Sequence, residues 1–135
     1  MDTSALLTVA GIIAAVGFAV FVARIQRELQ MREKGERTWI PWADWLAFGS
    51  TLLSMVVVAA LLIDTKSKSA PSLWARPLLS ASVVLVVGYA PAVLAHYRLL
   101  FSGRDIGPRV NPEPAERWLV YATVILAALA AYVSR

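Results

Sequence analysis

The 135-residue chain contains no cysteine and only one histidine, His96. The absence of cysteine excludes disulfides, thiolate metal ligands and thiol nucleophiles. A single histidine excludes bis-histidine haem ligation within one chain, and it leaves a zinc site without its other usual ligands. His96 and Asp105 alone do not make a hydrolytic site. We therefore expect a protein that is not an enzyme, with no catalytic residues, no cofactor and no metal.

Charge is absent from four long segments, although 16% of all residues are charged. About 20 residues of helix cross a hydrocarbon core of about 30 Å, and backbone groups in lipid must be satisfied within the helix. The sequence therefore predicts an all-α fold, an integral membrane four-helix bundle that forms one domain over residues 1–135. The charge-free segments are residues 3–23, 45–63, 77–97 and 118–134. The predicted spans are about 3–24, 45–63, 77–98 and 117–134.

Basic residues are distributed unevenly between the loops, and Lys and Arg favour cytoplasmic loops. The loops after the first and third spans hold Arg24, Arg27, Arg32, Lys34, Arg37, Arg98, Arg104, Arg109 and Arg117. The rest of the chain holds Lys66, Lys68, Arg76 and Arg135. We predict a protein of the bacterial inner (plasma) membrane with both termini outside. The first span lacks a basic segment before it, so we expect it to be retained rather than cleaved as a signal peptide.

The first helix is predicted to continue beyond the membrane. The sequence "RIQRELQMREK", residues 24–34, consists almost wholly of good helix formers. Arg24 and Arg32 each stand four residues from Glu28, which brings opposite charges together on one helix face, and Gly35 provides a stop. The extension into the cytoplasm is either a solvated carrier of positive charge or an arm that docks a partner or anionic lipid headgroups.

Tryptophan is concentrated where the chain returns to the bilayer. The sequence "TWIPWADW", residues 38–45, contains three of the five tryptophans. Tryptophan prefers the membrane–water interface, so we predict that all five are interface anchors: Trp39, Trp42, Trp45, Trp74 and Trp118. The alternative for the first three is an aromatic cage for a quaternary ammonium headgroup. Asp44 is expected to cap the second helix.

Small residues form a stripe on the first and third helices. Helices in lipid associate through close packing of such residues, so these stripes are predicted to face protein, either the chain's own helices or a second chain. The packing or partner face comprises Gly11, Ala15, Ala19, Gly88 and Ala92, with Ala23 continuing it on helix one. The opposite side of helix one is predicted to face lipid and comprises Val9, Ile13, Val16 and Val20.

Polar side chains within the spans predict a seam in the inner half of the bundle. Its members are Ser50, Ser54, Ser82, Tyr89, His96 and Tyr121. The seam either supplies interhelical hydrogen bonds or lines a small ligand or a hydrated path. No carboxylate is expected deep in any span, which argues against proton-coupled transport. Loop 102–117 contains "SGRDIGPR" but lacks the spacing of a phosphate-binding loop, so a plain connector is favoured over an anion site.

These features favour a non-catalytic accessory, assembly or scaffold subunit of a larger membrane complex. The expected partners are the lipid bilayer, other membrane-protein subunits or further copies of this chain, and anionic lipid at the basic cytoplasmic loops. The first alternative is a self-associating channel, pore or facilitator lined by the polar seam. The second is a protein that binds lipid headgroups. Nucleic acid is not an expected partner, because the aromatic residues lie at membrane boundaries.

Overall fold

The computed structural model describes residues 3–35, 40–67, 74–97 and 113–135, without the side chains of 64–67. Within these ranges it contains four α-helices and no strand, which confirms the all-α prediction. The helices are α1 (Thr3–Glu33), α2 (Ala43–Ser67), α3 (Ala75–His96) and α4 (Pro114–Val133). All four contain a stretch that is long and apolar enough to cross a membrane. The predictions for Trp39 and for residues 102–112 lie outside the described residues.

The first helix is continuous over 31 residues, Thr3–Glu33, and is therefore roughly 46 Å long. It ends where the sequence predicted, because Gly35 adopts a left-handed conformation with φ +70°. The Gly35 amide donates to the Arg32 carbonyl at 3.0 Å, which satisfies one of the last backbone acceptors of the helix. No other residue type adopts this backbone conformation as easily.

The helices pack mainly on their neighbours in the chain, so α2 and α3 occupy the centre. The smaller contacts are those of α1 with α3 and of α2 with α4. The described parts of α1 and α4 do not contact each other. A closed up-and-down four-helix bundle brings its first and last helices together. The four helices of this chain instead form an open arrangement in which α1 and α4 are outermost.

Two apolar clusters hold the helices together, one toward each end of α2. The first combines the start of α1 with the end of α2 and the start of α3: Leu6, Ala10, Ile13, Val57, Leu61, Ala75 and Leu79. The second combines the start of α2 with the end of α3 and the start of α4: Ala43, Leu46, Ala92 and Val120. Since each cluster takes residues from three helices, both are long-range features of the fold.

Inside the chain, α1 packs through a face other than its small-residue stripe. Ile13, predicted to face lipid, is only 7% exposed and belongs to the first apolar cluster. Gly17 also lies on the packed side, where an added Cβ would overlap the Thr51 side chain of α2. Large apolar side chains fill the space between α1, α2 and α3, and Gly17 permits the close approach. The predicted packing residues of α1, by contrast, are exposed: Gly11, Ala15, Ala19 and Ala23.

The small residues of α3 lie at a contact within the chain. Ala92 is fully buried and belongs to the second apolar cluster. Gly88 is half-buried, and an added Cβ there would overlap the side chain of Thr123 on α4. The two small-residue stripes therefore occupy different surroundings, because one packs against α4 and the other is exposed on α1.

Candidate functional site

Polar residues from all four helices meet where α1 extends past α2. We call this group the end cluster. Arg24 and Arg27 lie in the third-last and second-last turns of α1, and Asp44 lies in the first turn of α2. The remaining members lie at the end of α3 and in the first turn of α4. The complete end cluster is Arg24, Arg27, Asp44, His96, Tyr97 and Glu116.

Arg24 is the centre of the half of the end cluster that joins α1, α2 and the end of α3. Its Nε donates to Asp44 Oδ2 at 3.1 Å, and its Nη1 donates to the Tyr97 hydroxyl at 2.9 Å. Arg27 donates to the same hydroxyl and places its guanidinium over the Tyr97 ring, 4.8 Å from the centroid. Tyr89 also lies beside Asp44. The bonds of one arginine thus connect three helices.

Glu116 is the centre of the other half, and its side chain is fully buried. Its Oε2 lies 2.8 Å from His96 Nδ1, and its Oε1 accepts the Ala43 amide at 3.0 Å. That amide is in the first turn of α2, where backbone donors have no partner within the helix. A buried carboxylate is stable only when such bonds replace water, and here α2 and α3 supply them.

The two halves touch through the neighbouring residues His96 and Tyr97, whose rings meet edge to face at 5.0 Å. The end cluster therefore joins α1, α2, α3 and α4 through two sets of polar contacts that meet at this pair of rings. Within the described residues, no group of three or more histidine, cysteine, aspartate or glutamate side chains could hold a metal ion. The contacts described serve chiefly to hold the ends of the helices together.

The pairing of His96 with Glu116 differs from what the sequence indicated. The fourth span was predicted to begin at about residue 117, whereas α4 begins at Pro114 and holds Glu116, fully buried, in its first turn. His96 was expected to belong to the polar seam, and Asp44 was expected to cap the second helix. One signal was available: Arg24, Asp44, His96 and Glu116 all lie near span ends on the same predicted side of the membrane.

The predicted polar seam divides into separate groups. Ser50, Ser54 and Ser82 are fully buried between α2 and α3. Ser50 Oγ donates to the Ser82 carbonyl at 2.8 Å, and Ser82 Oγ donates to the Ser50 carbonyl at 2.9 Å. The Ser54 hydroxyl also bonds to that of Ser82. We call these three residues the serine cluster, and its hydroxyls bond with one another and with backbone rather than facing an open space.

The other predicted members of the seam lie elsewhere. Tyr89 and His96 are close to or within the end cluster. Tyr121 is 47% exposed, and its ring meets that of Trp42 edge to face, with centroids 6.0 Å apart. The α4 residue that points between the helices is instead Thr123, which is buried beside Gly88. The described structure therefore brings together the three serines but not the whole predicted seam.

The described tryptophans all lie at or near the start of a helix. Trp45 is 66% exposed in α2 and Trp118 is 72% exposed in α4, while Trp74 immediately precedes α3. The Trp45 ring meets Phe48, whereas the Trp42 ring meets Tyr121. Because these two neighbouring tryptophans pack against different partners, their rings do not converge as the walls of a cage would.

An open groove of about 320 Å³ lies beside the end cluster, between the last turns of α1 and the beginning of α2. We call it the α1–α2 groove. Its apolar lining is Val20, Phe21, Ile25, Leu29, Ile40 and Ala47. Its charged lining is Arg24, Glu28, Arg32 and Asp44. The groove is therefore amphipathic, with two cationic and two anionic side chains next to an apolar wall.

Comparisons of this chain with protein-family models, with curated proteins and with solved structures found no match. Its function must therefore be inferred from its own residues and their arrangement. Three features are available for that inference: the end cluster, the α1–α2 groove and the exposed small residues of α1.

Proposed function

We propose that this protein is a non-catalytic accessory or assembly subunit that binds another membrane protein through α1. The observation that carries the proposal is the position of the small residues on this helix. Gly11, Ala15, Ala19 and Ala23 are all exposed, on an outermost helix that does not reach the described part of α4. We call these four residues the α1 small face.

The physical argument concerns what a small-residue surface does in lipid. Lipid tails are as apolar as leucine, so helices there associate through close packing rather than through a hydrophobic driving force. The α1 small face repeats every four residues and is roughly 18 Å long. A Cβ added at Gly11 would meet no described atom within 4 Å. A second helix could therefore approach the α1 backbone closely along this face.

The polar groups of the protein also support an assembly role. The hydroxyls of the serine cluster form hydrogen bonds between α2 and α3, and the contacts of the end cluster join the four helices. A scaffold needs such internal bonds to present a fixed surface, whereas a pore lined by the predicted seam needs its hydroxyls to face an open path. Support for a channel is consequently weaker than support for a subunit.

Native mass spectrometry of the tagged protein, extracted gently from its own membrane, tests this proposal. We expect a second gene product to be bound at fixed stoichiometry. The Ala15→Leu substitution should abolish this binding or reduce the amount of bound partner at least tenfold. Ala59→Leu is the matched control, because it makes the same change at an exposed position of α2 outside the α1 small face. Equal retention of the partner by the two variants would contradict the proposed contact.

The self-associating channel is the alternative proposal, and the open arrangement of the helices is the observation that favours it. With α1 and α4 both outermost, two edges are available to further copies of the chain. A homo-oligomer of defined size in the same experiment would favour this alternative. Purified protein in liposomes should then conduct ions or pass a small polar solute, and an impermeable membrane would remove the idea.

A further inference from the structure

The α1–α2 groove contains charged groups that the described chain leaves without partners. Glu28 Oε2 and Asp44 Oδ1 are buried acceptors with no hydrogen-bond donor in the described residues. The other oxygen of Glu28 lies 3.9 Å from Arg24, too far for a hydrogen bond. Arg32 lines the same groove and forms no ion pair with any described residue. Within the described residues, the groove thus contains one cation without an ion pair and two buried carboxylate oxygens without a hydrogen-bond donor.

The apolar wall of the groove continues from these charges toward the apolar part of α1. Phe21, Ile25 and Leu29 follow one another at four-residue spacing, and all three are exposed. Val20, Arg24 and Glu28 form the neighbouring row on the same helix. The charge-free segment of this helix ends at Ala23, so the groove crosses the predicted boundary between lipid and water. A ligand that fits it must be amphiphilic.

We infer that the α1–α2 groove binds one phospholipid with a primary ammonium headgroup, phosphatidylethanolamine. In this proposal Arg32 binds the phosphate of the headgroup. Glu28, with Asp44 beside it, binds the ammonium group. One acyl chain lies along Phe21 and Ile25. Glu28 and Arg32 are one helical turn apart on the same side of α1, with Cβ atoms about 5–6 Å apart. Because two carbons separate the phosphate and the ammonium, one headgroup can reach both side chains.

The chemistry of the unpaired atoms distinguishes this lipid from other common phospholipids. Carboxylate oxygens without a donor require N–H or O–H groups. Phosphatidylcholine has a similar charge distribution, but its quaternary nitrogen carries no hydrogen. Phosphatidylglycerol has hydroxyl donors but no cation, and its negative charge would lie near two carboxylates. The inference does not depend on the proposed subunit role, since a lipid in this groove leaves the α1 small face uncovered.

Native mass spectrometry of the full-length protein in a nonionic detergent tests the inference. The three phospholipids are added separately with identical acyl chains. We expect a one-lipid complex with phosphatidylethanolamine that is about tenfold more populated than that with phosphatidylcholine, the preference typical of one charge-assisted hydrogen bond. Equal binding of these two lipids would overturn the inference, and so would stronger binding of phosphatidylglycerol. A series of adducts whose number keeps rising as lipid is added would also overturn it, because it would indicate non-specific binding.

Two variants of α1 assign the headgroup contacts. Glu28→Ala should remove the preference for phosphatidylethanolamine, so that it and phosphatidylcholine bind about equally. Glu33→Ala is the control, because Glu33 is exposed and lies outside the groove. Arg32→Ala should weaken the binding of both lipids by the same factor, and Arg117→Ala is its control. The ratio for two lipids on the same protein does not depend on the amount of folded material. An unchanged ratio in Glu28→Ala would overturn the assignment.

Discussion

At the residue scale, Glu116 illustrates how a charged side chain is accommodated inside an apolar protein. Its two oxygens bind groups from two different helices, the His96 ring and the Ala43 amide. A charge-assisted bond of this kind is stronger than a neutral one, but it replaces hydration that is lost on burial. The contribution of this pair to stability is therefore seen mainly as the loss of folding free energy when one of the two partners is removed.

Replacing Glu116 with alanine should destabilise the protein by about 2–4 kcal/mol, because each buried hydrogen-bonding group left unsatisfied costs about 1–3 kcal/mol. The substitution leaves the Ala43 amide without its acceptor and His96 without its partner. Denaturant unfolding in detergent micelles, followed by circular dichroism, measures the loss. Glu33→Ala is the control, because Glu33 is exposed in the last turn of α1 and should change stability by less than about 0.5 kcal/mol.

A double-mutant cycle separates the pair from its surroundings. If His96 and Glu116 act as a unit, His96→Ala should cost much less in the Glu116→Ala background than in the wild type, with a coupling of about 1–3 kcal/mol. Strictly additive effects would mean that the coupling free energy is zero. The 2.8 Å contact between the two side chains would then add nothing to stability.

Sequence reasoning singled out several residues of this cluster but missed Tyr97, and it did not identify their partners. Arg24, Asp44 and His96 were each recognised as lying near span ends, since charge and hydropathy vary along one dimension. Pairing depends on how neighbouring helices are rotated about their axes, which the sequence of a single helix does not specify. The same limit explains why three predicted members of the seam form the serine cluster while Tyr121 lies on the outside.

At the scale of the helix, glycine has different roles at different positions. Gly17 and Gly88 lie at helix contacts where a Cβ would overlap Thr51 and Thr123 respectively. Gly11 has open space around it. The difference between these environments gives a direct test of which face of α1 is packed.

Gly17→Ala and Gly88→Ala should each destabilise the monomer by about 1–3 kcal/mol, because the neighbouring threonine and helix must move to admit a methyl group. Gly11→Ala should cause no loss, since alanine is the better helix former and meets no neighbour. Thermal unfolding of the purified monomer measures all three. A loss for Gly11→Ala equal to that for Gly17→Ala would contradict the exposed position of the α1 small face.

The helices themselves follow closely from charge and composition. The charge-free segments predicted four helices, the alternating charges after Ala23 predicted the long α1, and Gly35 marked its end. The small-residue stripe of α1 was predicted to meet either the chain's own helices or a second chain, and it is exposed in the single chain; Ile13, expected to face lipid, was predicted incorrectly. In the structure the chain buries Leu6, Ala10 and Ile13 instead.

At the scale of the whole molecule, the distribution of basic residues predicts an orientation that can be tested directly. The chain has no cysteine, so single cysteines can be introduced without background labelling. Thr3→Cys at the start of α1 should react with a membrane-impermeant maleimide in intact cells. Lys34→Cys, at the other end of α1, should react only after permeabilisation. The reverse result would overturn the predicted placement of both termini outside.

The open arrangement of the helices could not be predicted from the sequence. Four spans of similar length are compatible with several packings, and the choice depends on small differences in side-chain fit between apolar surfaces. The resulting fold leaves α1 fixed to the rest of the molecule mainly by the first apolar cluster and by the Arg24 contacts.

This order of packing has a consequence for how the protein is made. Each new helix finds its main partner in the one synthesised just before it, so assembly can proceed from the N-terminus without waiting for a distant segment. Two polar contacts must reach further back: Tyr97 at the end of α3 meets Arg24 of α1, and Glu116 meets an amide at the start of α2 and a ring at the end of α3. A chain that stops before residue 116 lacks the acceptor of the Ala43 amide and the partner of the His96 ring. Truncation there removes a polar link between α4 and the two central helices.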